Sequence, residues 1–78
     1  MAKNDSRLHE LVRELRRRLQ LTQEKFAAKL GVTFPTINRW ENGRSLPSPL
    51  AKQRIRELLR SLGKEGEGLI KKYFPAEE

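Results

Sequence analysis

Cysteine is absent from this chain of 78 residues, and His9 is its one histidine. A disulfide framework, a thiolate metal site and a histidine cluster are therefore all excluded, and structural zinc with them. Aromatic residues are scarce, with one Trp, one Tyr and three Phe. A core has to be built mainly from Leu, Ile, Val and Ala, which favours packed helices. No apolar run approaches the roughly 18 residues of a membrane span, and Met1 to Ser6 lacks the apolar stretch of a signal peptide, so an intracellular, cytoplasmic protein is expected. Nothing resembles a phosphate-binding glycine loop, a serine–histidine arrangement or paired carboxylates, so no enzyme and no cofactor are expected. The length suits one domain with a modest core and is too short for two.

Positive charge is what the chain has in excess. Seventeen Lys and Arg against ten Asp and Glu give a net charge of +7. Residues 1–60 hold 14 basic and 6 acidic side chains, whereas 61–78 hold 3 and 4. The positive field thus belongs to the body of the chain, and a polyanion is its natural partner.

Apolar periodicity divides that body into helices. Leu8, Leu11, Val12, Leu15 and Leu19 recur at three- and four-residue steps, which predicts an amphipathic helix over about Arg7 to Leu19, capped by Asp5 or Ser6. Arg16-Arg17-Arg18 near its end complement the helix dipole. Thr22 caps a second helix, Gln23 to Leu30, which buries Phe26, Ala27 and Leu30 and is stopped by Gly31. Thr33 opens a third helix, with Ile37 and Trp40 on its inner face. Only Gly31 and Val32 separate the two, so the link is a sharp turn, the helix-turn-helix arrangement. Asn42-Gly43 end the third helix. Ser48 and Pro49 start a fourth with Ala51, Ile55, Leu58, Leu59 and Leu62 on one face. Lys52, Arg54, Arg56 and Arg60 read as its solvated side. Gly63, Gly66 and Gly68 then interrupt the pattern, which places a domain boundary after Leu62 and predicts a flexible tail or a short, one-turn helix over 63–78.

The run Leu21-Thr22-Gln23-Glu24-Lys25-Phe26-Ala27-Ala28-Lys29-Leu30-Gly31-Val32-Thr33, followed by Ile37-Asn38-Arg39-Trp40-Glu41-Asn42-Gly43, closely resembles the phage repressor/Cro-like helix-turn-helix family of xenobiotic-response-element type regulators. The resemblance extends over about residues 7–62. It implies an all-α, lambda-repressor-like bundle of four or five helices, in which the third reads the major groove of double-stranded DNA and the second crosses the backbone. A sequence-specific transcriptional regulator of repressor type is the function so implied.

By the same similarity, Gln23 hydrogen-bonds a phosphate and braces the recognition helix. Thr33 adds a phosphate contact to its capping role, where amides and dipole both favour an anion. Asn42 and Arg44 fall where the family grips the sugar–phosphate backbone. Base reading falls to Phe34, Pro35, Asn38 and Arg39, with the Thr36 hydroxyl nearby. Arg39 suits the paired acceptors of guanine and Asn38, in a suitable rotamer, adenine. Phe34-Pro35 depart from the pattern, since the family more often has Gln, Arg, Ser or Lys there. Their side chains cannot donate to base edges, although they can touch a thymine methyl; the alternative for Phe34 is a contact within the protein. Trp40 reads as core. Glu41 reads as orienting a basic side chain from the first helix.

Two further readings stay open. The same fold serves adaptors and antitoxins, for which Leu69 to Phe74 would be the surface for a toxin or other protein partner. So small a core is also compatible with a homodimer reading two half-sites.

Overall fold

Five helices follow one another in the computed structural model, which describes residues 7–74: α1 (Leu8–Arg18), α2 (Gln23–Leu30), α3 (Phe34–Glu41), α4 (Pro49–Ser61) and α5 (Lys64–Tyr73). Among the described residues there is no strand, and the architecture is all-α. The apolar stripe of α1 is buried at Leu8, Leu11, Val12 and Leu15, while Leu19 follows the helix and is half-buried against the core. Asp5 and Ser6, the predicted caps, lie outside the described residues; Arg7 flanks the helix and makes no side-chain cap.

Three helices begin as their sequence signals dictate. The hydroxyl of Thr22 accepts from the Lys25 amide at 3.1 Å, that of Thr33 from Thr36 at 3.3 Å and that of Ser48 from Ala51 at 3.2 Å. Each satisfies a first-turn donor with no partner in its own helix.

The turn between α2 and α3 depends on Gly31, whose φ is +75°. The Val32 amide reaches back to the Ala27 carbonyl at 2.9 Å, closing a Schellman cap. A Cβ on Gly31 would stand 2.6 Å from Nη1 of Arg54, which donates to the Leu30 carbonyl at 2.9 Å. The left-handed conformation favours glycine here, and a side chain would also displace the Arg54 guanidinium from its place beside the Leu30 carbonyl. The corresponding left-handed position after α1 is filled by Gln20, at φ 58°, with Leu21 N–H bonded to the Arg16 carbonyl at 3.1 Å.

Phe26, Ala27, Leu30, Ile37, Trp40, Ala51, Ile55 and Leu59 complete the centre of the core, so α2 packs on α3 and α1 crosses behind α3. Leu58 and Leu62 are only half-buried.

Of the two readings of the segment after Gly63, a flexible tail or a short helix, the structure has the helix, and it is longer than the single turn expected. Residues Lys64–Tyr73 make a ten-residue helix that lies along α4 and buries Leu69, Ile70 and Tyr73, with Phe74 just beyond. Gly66 is what lets it in. A Cβ there would overlap the Leu59 carbonyl, so only glycine permits the two backbones to approach this closely. Two helical glycines cost about 1 kcal/mol each, whereas burying one Leu, Ile or Phe side chain stabilises by about 1.5–3 kcal/mol. The tertiary term outweighs the propensity. Arg7 also stacks on the Tyr73 ring at 4.9 Å, Lys72 at 5.3 Å, and Arg56 lies over Phe74 at 5.5 Å.

Candidate nucleic-acid interface

The orientation of α3 is fixed by its last residue. The Glu41 side chain is 3% exposed, and a carboxylate that dry is tolerated only when paired and hydrogen-bonded. Arg16 of α1 supplies a fork, with Nε donating to Oε2 at 2.7 Å and Nη2 to Oε1 at 3.1 Å. Gln23 of α2 adds Nε2 to Oε1 at 2.9 Å. Arg13 donates to the Glu41 carbonyl at 3.0 Å, and the remaining Arg16 nitrogen, Nη1, to the Leu21 carbonyl at 3.1 Å. Three helices are thereby tied at one carboxylate.

The network continues outward along α3. Asn42 Nδ2 donates to Asn38 Oδ1 at 3.0 Å, and Asn38 Nδ2 donates to Gln23 Oε1 at 3.3 Å. Gln23 therefore bridges α2 to α3 through both ends of its amide, which is the bracing expected of it. Asn38 departs from expectation. It is half-buried, and its carboxamide is turned along the helix surface toward Gln23 and Asn42 rather than held free for a base.

At the opposite end of α3, the Thr33 and Thr36 hydroxyls hydrogen-bond each other at 2.9 Å, and Thr33 also accepts the Thr36 amide. Pro35 contributes no amide at all. Phe34, the first residue of the helix, is 45% exposed, and Pro35 beside it is exposed as well.

Arg39 and Arg44 are exposed, and neither has an ion-pair partner among the described residues. Their backbones are joined, because the Arg44 amide bonds the Arg39 carbonyl at 2.8 Å in the cap that Gly43, at φ +73°, makes after α3. The two guanidinium groups thus leave one rigid corner. Glu14, by contrast, is occupied on α1. Arg18 lies 2.8 Å away, and its hydrogen bond holds the Glu14 carboxyl below the ordinary range.

The helix-turn-helix family model matches residues 12–65, more than half of the chain. The chain belongs to the Cro/C1-type helix-turn-helix family. An uncharacterized HTH-type transcriptional regulator of Methanothermobacter thermautotrophicus (strain Delta H) is 47% identical over 55 residues, a stretch covering 70% of this chain and 75% of that protein. No solved structure matches.

Within this helix-turn-helix, the candidate residues fall into two groups. Gln23, Asn38 and Asn42 come together in one hydrogen-bonded line, whereas Thr33, Phe34, Pro35 and Thr36 form the leading turn of α3; Arg39 and Arg44 stand apart from both. Arg13, Arg16 and Arg54 are the positioning residues that sequence reasoning missed as individuals. Arg16 was legible only as part of a basic cluster, yet it follows Val12 by one helical turn and so borders the buried stripe, unlike Arg17 on the opposite face. Arg54, read as solvated, caps the last carbonyl of α2. Among the described residues no three His, Cys, Asp or Glu side chains converge to hold a metal ion, and no helix is long and apolar enough to cross a membrane.

Proposed function

We propose that this DNA-binding regulator is a sequence-specific, repressor-type transcription factor that sets α3 into the major groove with α2 across the phosphate backbone. The observation that carries this reading is the clamp at Glu41. Two helices, α1 and α2, fix α3 from behind, and its other side carries an exposed Arg39 and is followed by an exposed Arg44, neither ion-paired among the described residues. Preorganisation of this kind lowers the entropic cost of docking a reading helix.

The roles divide accordingly. Arg39 reads a base edge, with Asn38 beside it once its amide turns outward, and Thr36 offers its hydroxyl nearby. Arg44, Asn42, Thr33 and Gln23 hold phosphates, which fixes register without carrying sequence information. The relative's description as a transcriptional regulator supports the regulator reading. Docking of a protein partner on Leu69, Ile70, Tyr73 and Phe74 is disfavoured, because those side chains are already buried in the core.

The test is selection of bound sequences from a random duplex pool, followed by titration of the selected duplex at two salt concentrations. A consensus and an affinity that falls steeply with salt support the reading, and a palindromic consensus adds a homodimer on half-sites about 34–36 Å apart. Binding without sequence preference, or binding that ignores salt, contradicts it.

A further inference from the structure

The leading turn of α3 presents carbon where a reading helix ordinarily presents donors. Phe34 is 45% exposed, a high value for an aromatic side chain in a protein that buries Phe26 completely. Pro35 follows it and has no amide. The Thr36 amide is taken by the Thr33 hydroxyl, and the two hydroxyls are bonded to each other. One turn further on, the Asn38 carboxamide is engaged by Gln23 and Asn42. In the unbound protein the polar groups of this turn are bonded to one another, and what stands exposed at its tip is the ring of Phe34 and the pyrrolidine of Pro35.

We infer that Phe34, supported by Pro35, is a specificity-determining residue that reads the C5-methyl group of a thymine in the major groove. This rests on the reading of α3 as the groove-bound helix and adds what its first turn recognises. The chemistry leaves one occupant, because the thymine methyl is the only apolar group that the four base pairs display on their major-groove edges. An acidic duplex also suits the surroundings, since the same helix bears Arg39 and is followed by Arg44, neither of them ion-paired among the described residues. Ile37, fully buried, and the Thr33 cap hold the turn in place, so the ring is carried on a fixed backbone.

The consequence is a division of labour along α3. Its N-terminal turn selects a methylated pyrimidine by apolar contact, and Arg39, one and a half turns on, selects by hydrogen bonding. Loss of a single buried methyl should weaken binding about four-fold, the effect of transferring one such group out of water.

The experiment replaces each thymine of the selected duplex by uracil, one at a time, and measures binding of the whole protein by fluorescence anisotropy. One uracil per half-site is expected to weaken binding about four-fold. Phe34→Ala is expected to lose affinity for the thymine duplex and to bind the thymine and uracil forms equally at that position. Because Phe34 is exposed at a helix start, the variant should keep its helical circular dichroism. Phe34→Leu, which retains carbon at the site, should restore part of the discrimination. If a consensus emerges but no uracil matters, or if the uracil penalty is unchanged in Phe34→Ala, the inference fails while the groove-reading proposal stands. If no consensus emerges, both fail together.

Discussion

Removing both members of the Arg16–Glu41 pair should destabilise the protein no more than removing either one alone. Glu41→Leu strands the Arg16 guanidinium and the Gln23 amide; Arg16→Met strands a carboxylate that is 3% exposed. Breaking a fully buried pair costs about 3–5 kcal/mol. Arg16 keeps 21% of its side-chain surface in contact with solvent, so a discounted figure of about 2–3 kcal/mol is appropriate. A domain of this length has about 4–12 kcal/mol of stability in total. With a urea m-value near 1 kcal/mol/M, each single variant should unfold at a midpoint about 2–3 M lower, followed by circular dichroism. In the double variant Arg16→Met/Glu41→Leu no charge is left unpaired, and its stability should match or exceed that of the single variants. A coupling energy of at least about 2 kcal/mol is therefore expected. If the two single effects simply add, to within about 0.5 kcal/mol, the pair does not hold α3 and the clamp is refuted.

Other substitutions separate local from tertiary effects. Gly66→Ala and Gly68→Ala sit in the same helix and should move stability in opposite directions. At Gly66 the new methyl overlaps the Leu59 carbonyl and pushes α5 from α4, costing about 1–3 kcal/mol, whereas at Gly68 it meets nothing and gains up to about 1 kcal/mol of helix propensity. Thermal melts should show this as shifts of about 4–8 °C per kcal/mol, and a destabilised Gly68→Ala would contradict the packing of α5. Gln20→Gly relieves a left-handed side chain at φ 58°, and a gain of about 0.5–1 kcal/mol in urea unfolding is expected; a loss would mean that the Gln20 side chain contributes contacts that outweigh its backbone strain. Glu14, whose carboxyl is held below its ordinary value of 4.5 by Arg18, favours the folded state above that pH. Its contribution fades as the pH falls through the lowered value, so the stability difference between wild type and Glu14→Gln should close on acidification and stay constant from pH 5 to 8.

The helices that carry the site were legible because each begins with a side chain able to do only a few things. Thr22, Thr33 and Ser48 cap where their position promised, and Gly31 and Gly43 end helices where left-handed backbone is needed. Glu41 could be read as holding a basic residue from α1, but the choice of Arg16 depends on how α1 crosses α3, which no local pattern encodes. Gln20 hid a helix cap because it is not glycine. The fifth helix was hidden for the opposite reason: Gly66 and Gly68 look like breakers, and only the nearby Leu59 carbonyl explains one of them. Asn38 shows the limit for single side chains. Its residue type suits adenine, yet its rotamer is set by Gln23 and Asn42, two partners 15 and 4 residues away.

The placement of α3 in the major groove is tested most directly by comparing Arg39→Ala with Arg44→Ala across a library of single-base variants of the selected duplex. Arg39→Ala should relax preference at one base pair by about 1–3 kcal/mol and leave the other positions alone. Arg44→Ala should weaken every sequence equally and reduce the salt slope by about 0.9. Equal, sequence-independent losses from both variants, or no loss from Arg39→Ala, would contradict the placement.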